Sequence, residues 1–303
     1  MMDKIRQTVF PIVTAMIWGA AFSAQSQCAA AGMGAFTFNM LRSVIGCIVL
    51  ILAALGFSKG IKNISVSLSD KQYRKDLLLG GLCCGIILAV ASVLQQLGLG
   101  GTESGKGGFI TALYIVIVPV LGIFLNKKVT SFVWISVVIA VIGMYLLCVE
   151  EGTALSVSRY DLYLLLCALI FALHILVIDY FVNRVDGVQL SFMQFAVAAV
   201  FSGTGAFFFE NPSLEVIGQC LWPLLYVGVL SSGVGYTLQI LAQKGSNPTV
   251  VSLLLSLESV FAVAAAAIFL NEVMTLREYI GCAIVLCAVI FAQIPEKRKD
   301  KNV

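Results

Sequence analysis

Apolar residues run along this chain in long blocks separated by short polar or glycine-containing breaks. Read against those breaks, the pattern predicts ten segments, approximately 8–30, 34–57, 76–98, 107–125, 130–149, 160–182, 187–209, 220–243, 248–270 and 275–294. Each is near the roughly 20 residues that an α-helix needs to cross a bilayer core. Strand-like alternation is absent, and each run is about twice the length of a barrel strand. An open sheet would leave backbone groups unsatisfied in lipid, so the expectation is an all-α membrane protein with ten transmembrane helices. The first run follows MMDKIRQTVF directly and is too long and too rich in Trp and Phe for a cleaved leader, so it reads as a first span.

Composition agrees. Of 303 residues, 60% are hydrophobic and 12% charged, and the mean hydropathy is +1.00. Soluble domains carry about a quarter of their residues as charges, and so small a set cannot make a polar shell here. No stretch is left for a large soluble domain. The basic residues form no stripe interleaved with aromatics, which excludes nucleic-acid binding. The nine cysteines show no C-x-x-C spacing, so no metal site or cofactor is expected and they read as small core residues.

The position of the charges carries more than their number. With the N-terminus inside, fifteen of the nineteen Lys and Arg residues fall on inner stretches. Only Lys106, Arg159 and Arg277 fall outside, and Arg42 lies within a span. That asymmetry predicts both termini in the cytosol, in a plasma or inner membrane, and it requires an even number of spans.

An internal echo divides the chain. Ile123-Phe124-Leu125-Asn126 closes the fourth segment and Ile268-Phe269-Leu270-Asn271 closes the ninth, 145 positions on. Leu94-Gln95 and Leu238-Gln239, in the third and eighth segments, are 144 apart. Both displacements equal five segments. An odd number inverts the second copy in the membrane, so the expectation is two inverted five-helix repeats, residues 1–152 and 153–303. Halves so related can rock about a site near the midplane and present it to either side, which points to transport.

Trp18-Gly19 and Phe22 in the first span, Arg42 in the second, the segment from Leu253 to Ala262 and the closing Phe269-Leu270-Asn271-Glu272 together resemble the EamA family of the drug/metabolite transporter superfamily. The resemblance covers essentially the whole chain. It implies two five-helix repeats, cytosolic termini and the movement of amino acids, metabolites or drugs, most often as export. The chain departs from the family pattern at Ser259, where Pro is frequent, and at Lys127, where an acidic residue is frequent.

Two motifs point elsewhere and fail on context. Gly100 to Lys106 fits G-x-x-x-x-G-K, but Gly107 stands where a phosphate loop needs Ser or Thr, and membrane spans flank it. G-x-S-x-G and H-E-x-x-H are missing, so no enzyme is expected. Small residues one turn apart, Gly81 and Gly85 in the third segment and Gly228 and Ser232 in the eighth, predict close helix contacts. Pro119 predicts a kink in the fourth segment, and Asn247-Pro248 predicts a capped start to the ninth.

Candidate site residues are the polar groups that cost most in lipid. Ionisable side chains near a span centre cost about 2.5–3.5 kcal/mol on insertion scales and usually face a cavity or a partner. Glu258 and His174, the only histidine, are therefore candidates for proton coupling. Arg42 could grip a substrate carboxylate in bidentate fashion. Trp18, Asn39, Gln95, Tyr114, Gln194, Tyr236 and Gln239 are candidates to line one amphipathic cavity with it, and Asp179 reads as a surface or gate residue rather than a substrate ligand. The reading is a secondary transporter of a small molecule working by alternating access, its partners being that substrate, the bilayer and protons. A gradient-driven facilitator and an intramembrane enzyme or sensor are the alternatives.

Overall fold

The structure is a computed structural model of the full chain and describes residues 2–56, 69–102, 104–127, 129–148, 158–269 and 275–292. The second Ile-Phe-Leu-Asn copy falls partly outside these residues, as do Glu272, Lys59, Lys62, Lys128 and the basic C-terminal cluster. Among the described residues there is no strand. Eight helical stretches among the described residues are long and apolar enough to cross a membrane, where the sequence pattern predicts ten over the whole chain. The remaining two predicted segments coincide with the shorter helices Ser131–Cys148 and Leu276–Ala292, which pack on each other.

In chain order the helices are α1 (Met2–Ala30), α2 (Ala35–Gly56), α3 (Lys71–Leu99), α4 (Ser104–Ala112), α5 (Tyr114–Phe124), α6 (Ser131–Cys148), α7 (Arg159–Phe181) and α8 (Gly187–Phe209). Then come the short α9 (Leu214–Gln219) and α10 (Leu221–Tyr226), a π-helical stretch Val227–Gly235, α11 (Tyr236–Gln243), α12 (Pro248–Leu255), α13 (Glu258–Phe269) and α14 (Leu276–Ala292). Their starts follow local chemistry. Asp70, Asp186 and Asn247 each accept amides of the first turn of the helix that follows, and Pro248 stands at the first turn of α12 as expected. Ser158 and Asp161 form a reciprocal capping box at α7.

Three predicted spans are not continuous α-helix. The fourth breaks at Leu113, six residues before Pro119, so the proline is not where the helix parts. The ninth breaks at Ser256-Leu257, and the eighth carries the π stretch. Ser256 and Leu257 are buried, as are Ser231, Ser232, Gly233 and Gly235 of the π stretch, and irregular backbone at membrane depth is tolerated where protein covers it.

The packing is reciprocal. α1 lies against α11, α12, α13 and the π stretch, late elements of the chain, while α7 lies against α3, α4 and α5, early ones. α2 packs on α8, and α6 on α14. Glycines let α3 close up on α8: a Cβ at Gly81 or Gly85 would lie 2.5 Å from Met193 or Val197. The outer surface is apolar, with Phe207, Phe208, Phe209 and Trp222 each at least 70% exposed. In water that surface would be a liability, whereas in a bilayer it faces a solvent of its own kind.

Candidate functional site

The broken helices and the π stretch meet at one cavity, lined by Trp18, Phe22 and Gln25 of α1, Arg42 of α2, Gln95 of α3, Thr111 of α4, Phe171 of α7, Ser231 of the π stretch, Tyr236 and Glu258. Both halves of the chain contribute. Its volume is about 30 Å³, room for roughly one or two waters and far below the ~300–1,000 Å³ of a ligand cleft. The site is contracted around its polar groups.

Glu258 is 3% exposed and opens α13 directly after the break. Tyr114 opens α5 directly after the other break, and its hydroxyl donates to Glu258 Oε1 at 3.0 Å across 144 positions of sequence. That displacement equals the one separating Gln95 from Gln239. Helix α1 comes close enough to fix the arrangement because residue 19 is glycine; a Cβ there would meet the Glu258 carbonyl oxygen at 2.7 Å.

Arg42 is 3% exposed. Its Nε donates to Ser232 Oγ at 3.0 Å, its Nη2 to Ser231 Oγ at 3.2 Å and its Nη1 to Gln25 Oε1 at 3.4 Å. The Phe38 and Tyr236 rings each lie 5.9 Å from the guanidinium carbon. All these partners are neutral, and among the described residues no carboxylate lies within ion-pair distance. Tyr236 is the aromatic hub, 4.6 Å from Trp18, 5.6 Å from Phe195 and 6.2 Å from His174, measured between ring centroids.

Five of the ten predicted residues, Trp18, Arg42, Gln95, Tyr236 and Glu258, line the cavity, and Tyr114 reaches it through Glu258. Four do not line it. Asn39 donates to Ala35 of its own helix. His174 Nε2 and Gln194 Oε1 bond to each other at 3.1 Å, and Gln239 is buried away from the lining. Gln194 is nonetheless informative, because Arg42 and Gln194 are each the eighth residue of their helices. Each is also bonded to a polar side chain of the preceding long helix, Gln25 in one case and His174 in the other. Gln25, Thr111 and Ser231 escaped the sequence reading. Gln25 had a usable signal: it follows Trp18 and Phe22 at seven and three positions, on one helical face.

Ties between the halves close both ends. At one end Lys106 pairs with Asp161 at 2.8 Å, Thr102 donates to the same carboxylate, and Glu210 accepts from the amides of Phe36 and Thr37 at the start of α2. The lysine of the phosphate-loop look-alike is thus one partner of an ion pair. At the other end Lys127 pairs with Asp179, and Arg6 donates to the Lys244 carbonyl.

A model of the EamA-like transporter family matches residues 8–149 and, a second time, residues 158–293. The chain belongs to this family. It thereby falls in the drug/metabolite transporter superfamily, and the membrane-transporter character expected from the sequence holds. An "Uncharacterized transporter" of Archaeoglobus fulgidus is 27% identical over 285 residues, 93% of this chain and 84% of that protein. The "Uncharacterized transporter YoaV" of Bacillus subtilis is 24% identical over 258 residues, covering 83% and 85%. A protein of solved crystal structure superposes with a TM-score of 0.76 over 95% of this chain and 96% of its own, at 16% identity, a likeness of fold alone.

Proposed function

We propose that this EamA-family chain is a secondary transporter that moves a small metabolite, amino acid or drug by alternating access of the central cavity. In this reading ten helices span a plasma or inner membrane with both termini in the cytosol, as two inverted five-helix repeats, residues 1–152 and 153–303. Trp18, Arg42, Gln95 and Tyr236 contact the cargo. Glu258 is the protonation site, with Tyr114 beside it and His174 behind Tyr236. Asn39, Gln194 and Gln239 support the walls.

One observation carries the reading: a buried Arg and a buried Glu share a cavity built by both halves and shut at each end by ties between those halves. Buried charge is expensive, and a chain that keeps two such groups at a contracted cavity needs a use for them. The reciprocal packing of α1 and α7, the matched breaks at Leu113 and Leu257, and the eighth-residue pair Arg42 and Gln194 support the two-repeat arrangement.

A thermal-shift screen of metabolite pools finds the cargo, since a ligand of the folded state raises its stability. With that cargo in proteoliposomes, Glu258→Gln is expected to abolish uptake driven by a pH gradient while leaving counterflow exchange. Unchanged gradient-driven uptake would refute proton coupling, and loss of both activities would reassign Glu258 to structure.

A further inference from the structure

The geometry around Arg42 goes one step further, to the chemistry of the cargo. A guanidinium presents two parallel N–H groups along its Nε–Nη2 edge, the edge that matches the two oxygens of a carboxylate. Here that edge is occupied by two hydroxyl oxygens, Ser232 Oγ on Nε and Ser231 Oγ on Nη2. Neighbouring residues of an α-helix point about 100° apart and diverge. These two lie in a π-helical stretch, whose wider turn places more residues per revolution and narrows that angle. The ladder there runs from the Tyr236 amide to the Ser231 carbonyl, five residues back.

The π stretch is held by its surroundings. Thr14 donates to the Gly235 carbonyl and Trp18 to the Ser231 carbonyl. Gly233 and Gly235 let α2 and Trp18 approach: Cβ atoms at those positions would meet Val49 and Trp18 at 2.8 Å. Drawing the ladder in by one residue to the α pattern turns one side of the stretch by about 100° against the other. The two adjacent hydroxyls then swing together away from the guanidinium edge of Arg42.

We propose that the cargo carries a carboxylate, and that Ser231 and Ser232 are its built-in competitors, occupying the Nε–Nη2 edge of Arg42 until the π stretch tightens and releases it. The proposal rests on the cavity being the cargo site. Charge-assisted pairs between guanidinium and carboxylate are roughly twice as strong as bonds between neutral groups, so an incoming carboxylate displaces the hydroxyls. A cavity of about 30 Å³ admits no such group while they remain, which makes withdrawal of the serines and entry of the carboxylate one event.

The test uses the full chain in lipid nanodiscs and fluorine NMR. The probes are trifluoroacetate, 4-fluorobenzoate and 4-fluorophenylalanine, each beside its uncharged carboxamide. At least one carboxylate is expected to bind, its amide not, and Arg42→Lys, which keeps charge but loses the fork, should remove the binding. Ser231→Ala with Ser232→Ala should then tighten it by about tenfold, because the competing bonds are gone; the single variants, tightening less, cover the case in which the pair does not fold. Weaker or equal binding in the folded serine variants overturns the competitor role and leaves the cavity reading intact. Amide and carboxylate binding alike, with loss on Arg42→Lys, overturns the carboxylate class. Binding indifferent to Arg42→Lys, or none by any probe, overturns the assignment of a carboxylate to Arg42, and cargo found by the thermal-shift screen but insensitive to Trp18→Ala and Gln95→Ala overturns the cavity reading itself.

Discussion

Gly19→Ala adds one methyl group where α1 meets the helix break before Glu258. The new Cβ would lie 2.7 Å from the Ala262 nitrogen, 2.7 Å from the Glu258 oxygen and 2.8 Å from the Phe261 carbonyl carbon. All three are backbone atoms, so no rotamer change relieves them. Carbon contacts settle at about 3.5–4.0 Å, so α1 must retreat from α13 by about 1 Å. Overpacking of this kind costs about 1–3 kcal/mol, against which Ala in a helix interior gains about 0.5–1 kcal/mol over Gly. The net expectation is a loss of about 1 kcal/mol, with Trp18 drawn off Tyr236. Gly108→Ala is the matched control, since a Cβ at that buried helical position meets nothing within 4 Å and should return the gain of about 0.5–1 kcal/mol undiminished. Thermal unfolding of both variants in one detergent–lipid mixture, followed by tryptophan fluorescence, should shift the midpoints in opposite directions. Shifts of the same sign would refute the close approach of α1 to the break before Glu258.

Tyr114→Phe and Glu258→Gln should be non-additive in unfolding midpoint, with a coupling of about 1 kcal/mol or more, because each removes one end of the same buried bond; additive losses would deny the contact. Glu210→Ala strips the start of α2 of the carboxylate that accepts the Phe36 and Thr37 amides. It should cost about 0.5–2 kcal/mol and speed hydrogen exchange at those two amides in particular. At the Lys106–Asp161 tie, Asp161→Ala should destabilise more than Lys106→Ala. The carboxylate also accepts from Thr102 and the Ser158 amide, whereas the lysine side chain is 31% exposed and a partly solvated pair contributes about 0–1 kcal/mol.

Lipid explains why so much was readable in one dimension. A chain in a bilayer must satisfy its backbone within each segment, so long apolar runs become helices whatever their order, and the few charges had to concentrate at the ends or the centre. Helix starts were equally local: Asn247-Pro248 announces α12, and Asp70 and Asp186 sit where N-caps belong. The breaks at Leu113 and Ser256-Leu257 were hidden because hydropathy does not change across them. Pro119 does not mark the break: it lies within α5, and the chain parts six residues earlier, at Leu113.

At the site the division is sharper. The sequence alone could say that Arg42, His174 and Glu258 are too costly to lie idle in a membrane, since that cost depends only on residue type and depth. Which of them share a cavity depends on contacts between residues 144 to 213 positions apart, such as Tyr114 with Glu258, Arg42 with Ser231 and Trp18 with Ser231. Serine hydroxyls are cheap to bury and leave no mark in a hydropathy pattern, and a π turn differs from an α turn only in which carbonyl accepts each amide. Tertiary packing therefore decided that Arg42 has neutral partners, and that His174 pairs with Gln194 behind the cavity wall.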